Sequence, residues 1–188
     1  MKDSLGIMLM KWRNRVVLPF LQGDVLDVGC GTNTLIREYR RSRPNSRAMG
    51  VDVYPWDGVD LCIEDAGKLP FEVESFDTIV CVAAFNHIPN RRDFLNEAKR
   101  ILKPNGKLII TMIPPGISAV WHRLRSPWDA DQHERGMVDG EVYGFTEAQI
   151  RNEFAVARFS VIATRRFMLG INCLYVAAVA PPESSLSE

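Results

Sequence analysis

The sequence predicts an α/β fold built on a doubly wound, mostly parallel sheet, and three observations carry that reading. Short apolar runs alternate with stretches of helical periodicity between residues 24 and 113. The first run, Val25-Leu26-Asp27-Val28, stops at two glycines separated by one residue, Gly29 and Gly31, with a helical pattern from Asn33. The second ends at Asp52, on the order of 20 residues beyond the glycine turn, where doubly wound folds set an acid against ribose hydroxyls.

In chain order, residues 4–21 place Leu5, Met8, Leu9, Trp12 and Val16 at helical spacing, with Lys11, Arg13 and Arg15 interleaved. This predicts an amphipathic helix that ends or kinks at Pro19. Three readings of it stand: a helix packed beside the sheet, a lid over a bound ligand, or a membrane-surface contact. Residues 25–33, VLDVGCGTN, then read as strand, tight turn and helix start. The glycines permit backbone angles and a close ligand approach that a Cβ would forbid.

The helix that follows carries Leu35, Ile36 and Tyr39 inward and ends in Arg37, Arg40, Arg41 and Arg43, which read as a solvated end stabilised by the helix macrodipole in preference to an RNA-binding patch. Residues 47–53 form the second strand. Val53 or Tyr54 is expected along a bound base, while Asp57 and Asp60 fall in a Pro- and Gly-containing loop and read as solvated. Residues 61–65 read as a short third strand and residues 76–82 as the fourth. The loop AAFNHIPN, residues 83–90, then sits at the carboxyl edge of the sheet, where open α/β folds bind ligands.

Asn90 is expected to cap the next helix, with Asp93 in its first turn and Phe94, Leu95, Ala98, Ile101 and Leu102 as its buried stripe. Pro104-Asn105-Gly106 stops it, and residues 107–112 give strand five. Thr146 with Gln149 three residues on is a capping box that opens a last helix. Two final strand-like runs, 156–167 and 173–180, join through Leu169-Gly170, and residues 181–188 read as a frayed tail.

The identity of the ligand turns on Asp27. A carboxylate at the lip of a turn built for pyrophosphate would repel it by roughly 1 to 4 kcal/mol at about 4 Å. The dinucleotide fingerprint also wants a third glycine where this chain has Thr34. The same carboxylate suits a ligand bearing an ammonium and a sulfonium, which favours S-adenosylmethionine over NAD.

The motifs VLDVGCGTN, Val51-Asp52, Glu64-Asp65-Ala66 followed by LPFEVESFDTIVC, and RILKPNGKLIIT stand in this order over residues 24–113. In that set the chain resembles the class I S-adenosylmethionine-dependent methyltransferases, and within them the type 11 group that includes quinone-biosynthesis and other small-molecule methylases. The resemblance implies a Rossmann-like, seven-stranded sheet with an antiparallel last strand, order 3-2-1-4-5-7-6, and helices on both faces. It also implies S-adenosylmethionine as cofactor, S-adenosylhomocysteine as product, and a small-molecule methyl acceptor.

Its implied cofactor residues are Asp27, Gly29, Cys30, Gly31, Asn33, Asp52, Val53, Asp65, Ala66, Val82, Ala83 and His87. Asp65 would accept from the adenine amine while the Ala66 N–H donates to a ring nitrogen, with Glu64 leaving a one-residue ambiguity. Ala83 and Ala84 would let the methionine part lie against backbone. His87 is either a cofactor contact, a base for the acceptor, or a histidine that orders its loop. The connection at 114–145, with Trp121, His122, Trp128, His133 and Tyr143 among arginines and acids, would cover the acceptor or simply pack on the domain.

Composition sets the outer bounds. At 188 residues one domain, 1–188, accounts for the chain. Lysine plus arginine equals aspartate plus glutamate at 23 each, so the overall charge carries no nucleic-acid footprint. Asp129, Asp131 and His133 have ligand chemistry but no recognised metal spacing. Cys30, Cys62, Cys81 and Cys173 are scattered and read as small hydrophobes in a reducing, cytoplasmic setting, with no apolar run of spanning length. Two alternatives stay open: a non-catalytic S-adenosylmethionine-binding partner or regulatory subunit, and an NAD-dependent oxidoreductase.

Overall fold

A computed structural model describes residues 4–116 and 140–181. The strands are β1 (Val25–Val28), β2 (Ala48–Asp52), β3 (Leu61–Cys62), β4 (Phe76–Val82), β5 (Leu102–Met112), β6 (Phe159–Phe167) and β7 (Asn172–Val179). The helices are α1 (Ser4–Val17), α2 (Thr34–Ser42), α3 (Arg91–Ile101) and α4 (Glu147–Val156). The sheet runs β3-β2-β1-β4-β5-β7-β6, the order that the resemblance implies. Strands β1 to β5 pair in parallel, and β7 runs antiparallel to both β5 and β6.

Alternation along the strands divides the core into two layers. Leu26, Val28, Ile79, Cys81, Leu108 and Ile110 point to the face covered by Phe94, Leu95 and Ala98 of α3 and Ile150 and Phe154 of α4. Val25, Val80 and Ile109 point to the other face, under Val16 and Val17 of α1 and Leu35, Ile36 and Tyr39 of α2. Asp27, two residues beyond Val25, therefore projects to the α1/α2 side at the carboxyl end of β1. That period-2 placement brings it beneath the glycine turn.

Several expectations need correction. The α1 stripe is buried only in part: Val16 is buried as expected and Leu9 packs against the core, whereas Leu5, Met8 and Trp12 are exposed and Asn14 and Val17 are buried, because only the second half of the helix reaches the sheet. A short 3-10 turn at Leu18–Phe20 follows, with Pro19 inside it. Strand β3 keeps only Leu61–Cys62, since Ile63 makes one last bond to the Asp52 carbonyl and the chain then turns at Asp65. Cys62 is exposed rather than a buried hydrophobe.

Strand β5 starts at Leu102, five residues earlier than expected, so Pro104-Asn105-Gly106 lies inside a strand with a register shift. Helix α4 extends to Val156, and β6 begins at Phe159 after a left-handed Arg158. The Thr146–Gln149 capping box forms in both directions. Asn90 does not cap α3 with its side chain; its amide instead donates to Asp65 Oδ1 at 2.8 Å.

Asp60, expected in solvent, accepts from the Gly50 N–H at 2.8 Å, Asn33 Nδ2 at 2.9 Å and Arg40 Nη2 at 2.7 Å. It ties the loop after β2 to α2 and the strand itself. The crossover at Leu69–Phe71 is held in the same way by α3: Glu97 accepts the Leu69 N–H, and Arg100 donates to the Leu69 and Phe71 carbonyls. Most of the segment expected to cover the acceptor, including Trp121, His122, Trp128, Asp129, Asp131 and His133, lies outside the described residues, as does all of the expected tail but Pro181. Among the described residues no helix is long and apolar enough to cross a membrane.

Candidate active site

A cavity of about 710 Å³ opens at the carboxyl ends of β1, β2 and β4, within the range typical of small-molecule and cofactor sites. Its floor is the turn after β1. Gly29 and Gly31 both adopt left-handed backbone angles, with φ of 76° and 51°. A Cβ on Gly29 would run into the Ala84 methyl group, whereas one on Gly31 would point into open space. The turn is thus built for close approach on one side and clearance on the other.

Asp27 sits on this floor, 2% exposed, with Oδ1 buried and without a hydrogen-bond partner. Burial, reinforced by the charge of Asp52, pushes its carboxyl up to about 8. A buried acceptor left unpaired costs on the order of 1–3 kcal/mol and calls for a donor. Burial raises the Cys30 thiol as well, with the charges of Asp27, Asp52 and Asp60 adding to it, so this thiol stays protonated and unreactive.

Asp52 closes the turn from the neighbouring strand. Its Oδ2 accepts the Gly31 N–H at 2.9 Å and its Oδ1 accepts the Tyr54 N–H at 3.0 Å. Each oxygen keeps a second lone pair for a ligand hydroxyl. Asp65 is set by Asn90 Nδ2 and by the Gly67 N–H, both on Oδ1, and these bonds hold its carboxyl below the usual range. The carboxylate is ionised at neutral pH and offers acceptors only.

At the end of β4, Ala83 takes a left-handed conformation, φ 54°, and its N–H donates to Thr111 Oγ1 at 3.0 Å. Non-glycine residues adopt such angles at a cost of order 1–3 kcal/mol, and they cluster at ligand sites. The strain here turns the chain so that Val82, Ala83 and Ala84 present small surface to the cavity. His87 follows in a short 3-10 turn, its ring 25% exposed, with Nδ1 3.1 Å from Glu141 Oε2.

Of the residues singled out from the sequence, Asp27, Gly29, Cys30, Gly31, Asp52, Val53, Asp65, Ala66, Val82, Ala83 and His87 all line this one cavity. Asn33 does not. It is wholly buried behind the turn, where Nδ2 donates to the Gly58 carbonyl and to Asp60 Oδ2, both at 2.9 Å. Tyr54 is likewise off the wall, and Trp56, whose ring lies 4.3 Å from that of Tyr54, lines it instead.

Met10, Arg13 and Asn14 of α1 reach the cavity too, so α1 both packs on the sheet and borders the ligand space. The apolar spacing of α1 names neither Met10 nor Asn14, so these two contacts are visible only in the structure. Glu141 lay outside every sequence motif and is found only through its contact with His87.

Comparison with known proteins agrees with this architecture. Residues 26–110 match the type 11 methyltransferase domain. The demethylmenaquinone methyltransferase of Thermotoga maritima is 34% identical over 119 residues, 56% of this chain and 52% of that protein. The 27-O-demethylrifamycin SV methyltransferase of Amycolatopsis mediterranei is 31% identical over 131 residues, 58% of this chain and 47% of that protein. The chain thus spans about half the length of these two curated relatives. Among solved structures, a chain from the complex between the Haloferax volcanii Trm112 methyltransferase activator and a putative methyltransferase superposes with a TM-score of 0.73 at 17% identity, covering 94% of this chain and 93% of that one. That likeness concerns the fold. With the matched domain and the strand order in agreement, this chain is similar to the class I S-adenosylmethionine-dependent methyltransferases of the type 11 group.

Proposed function

We propose that this chain is an S-adenosylmethionine-dependent methyltransferase that moves a methyl group to an O, N, C or S nucleophile of a small-molecule acceptor and leaves S-adenosylhomocysteine. The observation that carries the proposal is the unpartnered, buried Asp27 Oδ1 on the wall of a cavity that also presents Asp52. Two carboxyl groups on one ligand-sized wall suit an ammonium and a ribose: Asp27 gives up its proton against an ammonium, and Asp52 opposes a diphosphate. Arg13 on the same wall supplies the opposite charge for the amino-acid carboxylate of such a ligand.

In this reading Asp27 holds the ammonium and Asp52 the ribose hydroxyls. Asp65 and the Ala66 N–H take the adenine edge, while Val53 and Trp56 flank its face. Gly29, Cys30, Gly31, Val82 and Ala83 form the backbone cradle of the methionine part. The bound cofactor supplies a methyl group on a positively charged sulfur that leaves readily. The protein's task is then to hold the acceptor in line with it and exclude water, which can supply several kcal/mol of the barrier.

The names of the curated relatives, which include methyltransferases for menaquinone precursors and a rifamycin, support a small organic acceptor over a macromolecule. We treat residues 1–188 as one methyltransferase domain, with 114–145 as its acceptor-covering part. The four free cysteines support a reducing, cytoplasmic setting. Titration calorimetry with S-adenosylmethionine, S-adenosylhomocysteine and NAD tests the proposal. Micromolar binding of the adenosyl ligands with no response to NAD is expected, and the reverse pattern would remove it.

A further inference from the structure

We propose that the outward side of α1 is a docking surface for an anionic lipid bilayer, against which the chain lies peripherally. Leu5, Met8 and Trp12 follow one another at helical spacing and so form one row along the helix. Together with Ile7 they are between 41% and 54% exposed. A single exposed apolar side chain is ordinary, but large ones gathered on the first turns of one helix make a contiguous patch, and such patches mark interaction surfaces.

The fold does not require this row. Val16 and Val17 seat α1 on the sheet, and Met10, Arg13 and Asn14 border the cavity from its other side. Leu5, Met8 and Trp12 touch neither the core nor the ligand space, so their apolar character calls for an occupant outside the chain.

Charge identifies that occupant. Helix α1 carries Lys11, Arg13 and Arg15 and no acidic residue along its length, in a chain whose bases and acids balance at 23 each. Lys11 and Arg15 are exposed and flank Trp12, so cations stand beside the apolar row. On the same face of the sheet, α2 turns Arg37 and Arg41 to solvent, with Arg43 at its end and Glu38 as its acid. The two helices are joined there, since Asn14 Nδ2 donates to Thr34 Oγ1 at 3.1 Å.

Apolar residues with a tryptophan, cations alongside and no carboxylate on the helix are the features of a helix that lies in a headgroup layer. The lysine and arginine stems run over apolar surface while their heads reach phosphates. A second copy docked through the same patch about a two-fold axis would set these cations against one another. Because α1 also walls the cavity, docking would hold that cavity about one helix diameter, roughly 10 Å, from the lipid surface. The inference stands apart from the methyl-transfer reading, because it needs no cofactor and its test reads lipid binding directly.

The test uses the full chain and vesicles of phosphatidylcholine alone or mixed equally with phosphatidylserine. The mixed vesicles should sediment the chain, and phosphatidylcholine alone should bind it at least about tenfold more weakly. Raising the salt from about 0.1 M to about 1 M should remove that difference. Met8→Ser with Trp12→Ser, and separately Lys11→Gln with Arg15→Gln, should each weaken binding to mixed vesicles by about tenfold or more. Melting temperature and S-adenosylhomocysteine affinity should stay near native in both, as none of these residues lines the cavity. Brominated acyl chains should quench the tryptophan emission of the native chain more than that of Trp12→Phe. Failure to bind mixed vesicles would overturn the proposal and give the face to a protein occupant, and binding that neither double variant weakens would move the lipid contact to another surface. Binding without quenching of Trp12 would remove the apolar row from the contact. A dimer in solution that Met8→Ser with Trp12→Ser dissociates would assign the row to a second copy instead.

Discussion

Asp52 Oδ2 accepts the Gly31 N–H at 2.9 Å, so the acid that ends β2 also fastens the glycine turn that ends β1. One side chain thereby links two neighbouring strand ends, and a ligand that occupies its remaining lone pairs rigidifies both. Asp52→Ala should weaken S-adenosylhomocysteine binding by about 1 to 3 kcal/mol, the scale of a lost charged hydrogen-bond partner. Calorimetric titration checks this, and an undiminished affinity would remove the ribose assignment.

Asp27 gives the site a pH signature. Its carboxyl stands near 8 in the folded chain against an ordinary value of 3.8, so the folded state holds the extra proton between those limits. The stability this contributes is fully present below about pH 4 and fades as the pH climbs through about 8. Melting temperatures taken from pH 5 to pH 8.5 should therefore fall more steeply for the native chain than for Asp27→Asn. If the two slopes coincide, Asp27 is not the titrating group.

The same group predicts proton release on binding. An ammonium placed against Asp27 favours its ionised form. At pH 6.5, binding of S-adenosylmethionine should expel up to one proton more in the native chain than in Asp27→Asn. Calorimetry in buffers of differing ionisation enthalpy measures this number.

Gly29→Ala should be far more damaging than Gly31→Ala. Both positions are left-handed, and a methyl group there costs of order 1 kcal/mol in backbone strain alone. Only at Gly29 does the added carbon meet Ala84. Loss of S-adenosylhomocysteine binding is expected for Gly29→Ala, with a modest drop in urea midpoint for Gly31→Ala; equal behaviour of the two would show that packing against Ala84 is unimportant.

Asn33→Ala should act through stability and leave ligand affinity nearly untouched. Its amide bonds run to Gly58 and Asp60, away from the cavity. A loss of about 1–3 kcal/mol in urea unfolding is expected, with S-adenosylhomocysteine affinity within a few-fold of native. A selective loss of affinity would return Asn33 to the binding set.

The parts of the site that could be read from the sequence are those fixed by local backbone chemistry. Gly29, Gly31 and Asp52 declare themselves by spacing, because a strand that ends in a tight turn and an acid at the next strand's end need no knowledge of distant residues. Asn33 misleads for the opposite reason. Whether its side chain turns to the ligand or away depends on Gly50, where a Cβ would collide with the Asn33 amide, and that neighbour lies across the sheet. Asp60, Asn90 and Glu141 share this dependence, each committed to a partner at least 10 residues away. The exposure of Leu5, Met8 and Trp12 is not legible in α1, because apolar spacing names a stripe but not how far along the helix the sheet reaches.

Gly144 lies so close to the Ile113 carbonyl that a Cβ there would collide with it. The chain therefore leaves the sheet at Ile113 and comes back to the same spot, as a handle is joined to a cup. For a loop whose ends are pinned together, doubling the length costs only about 0.6 kcal/mol in closure entropy. Two chain positions that share one anchor let the length between them change at little cost to the sheet that carries the cavity.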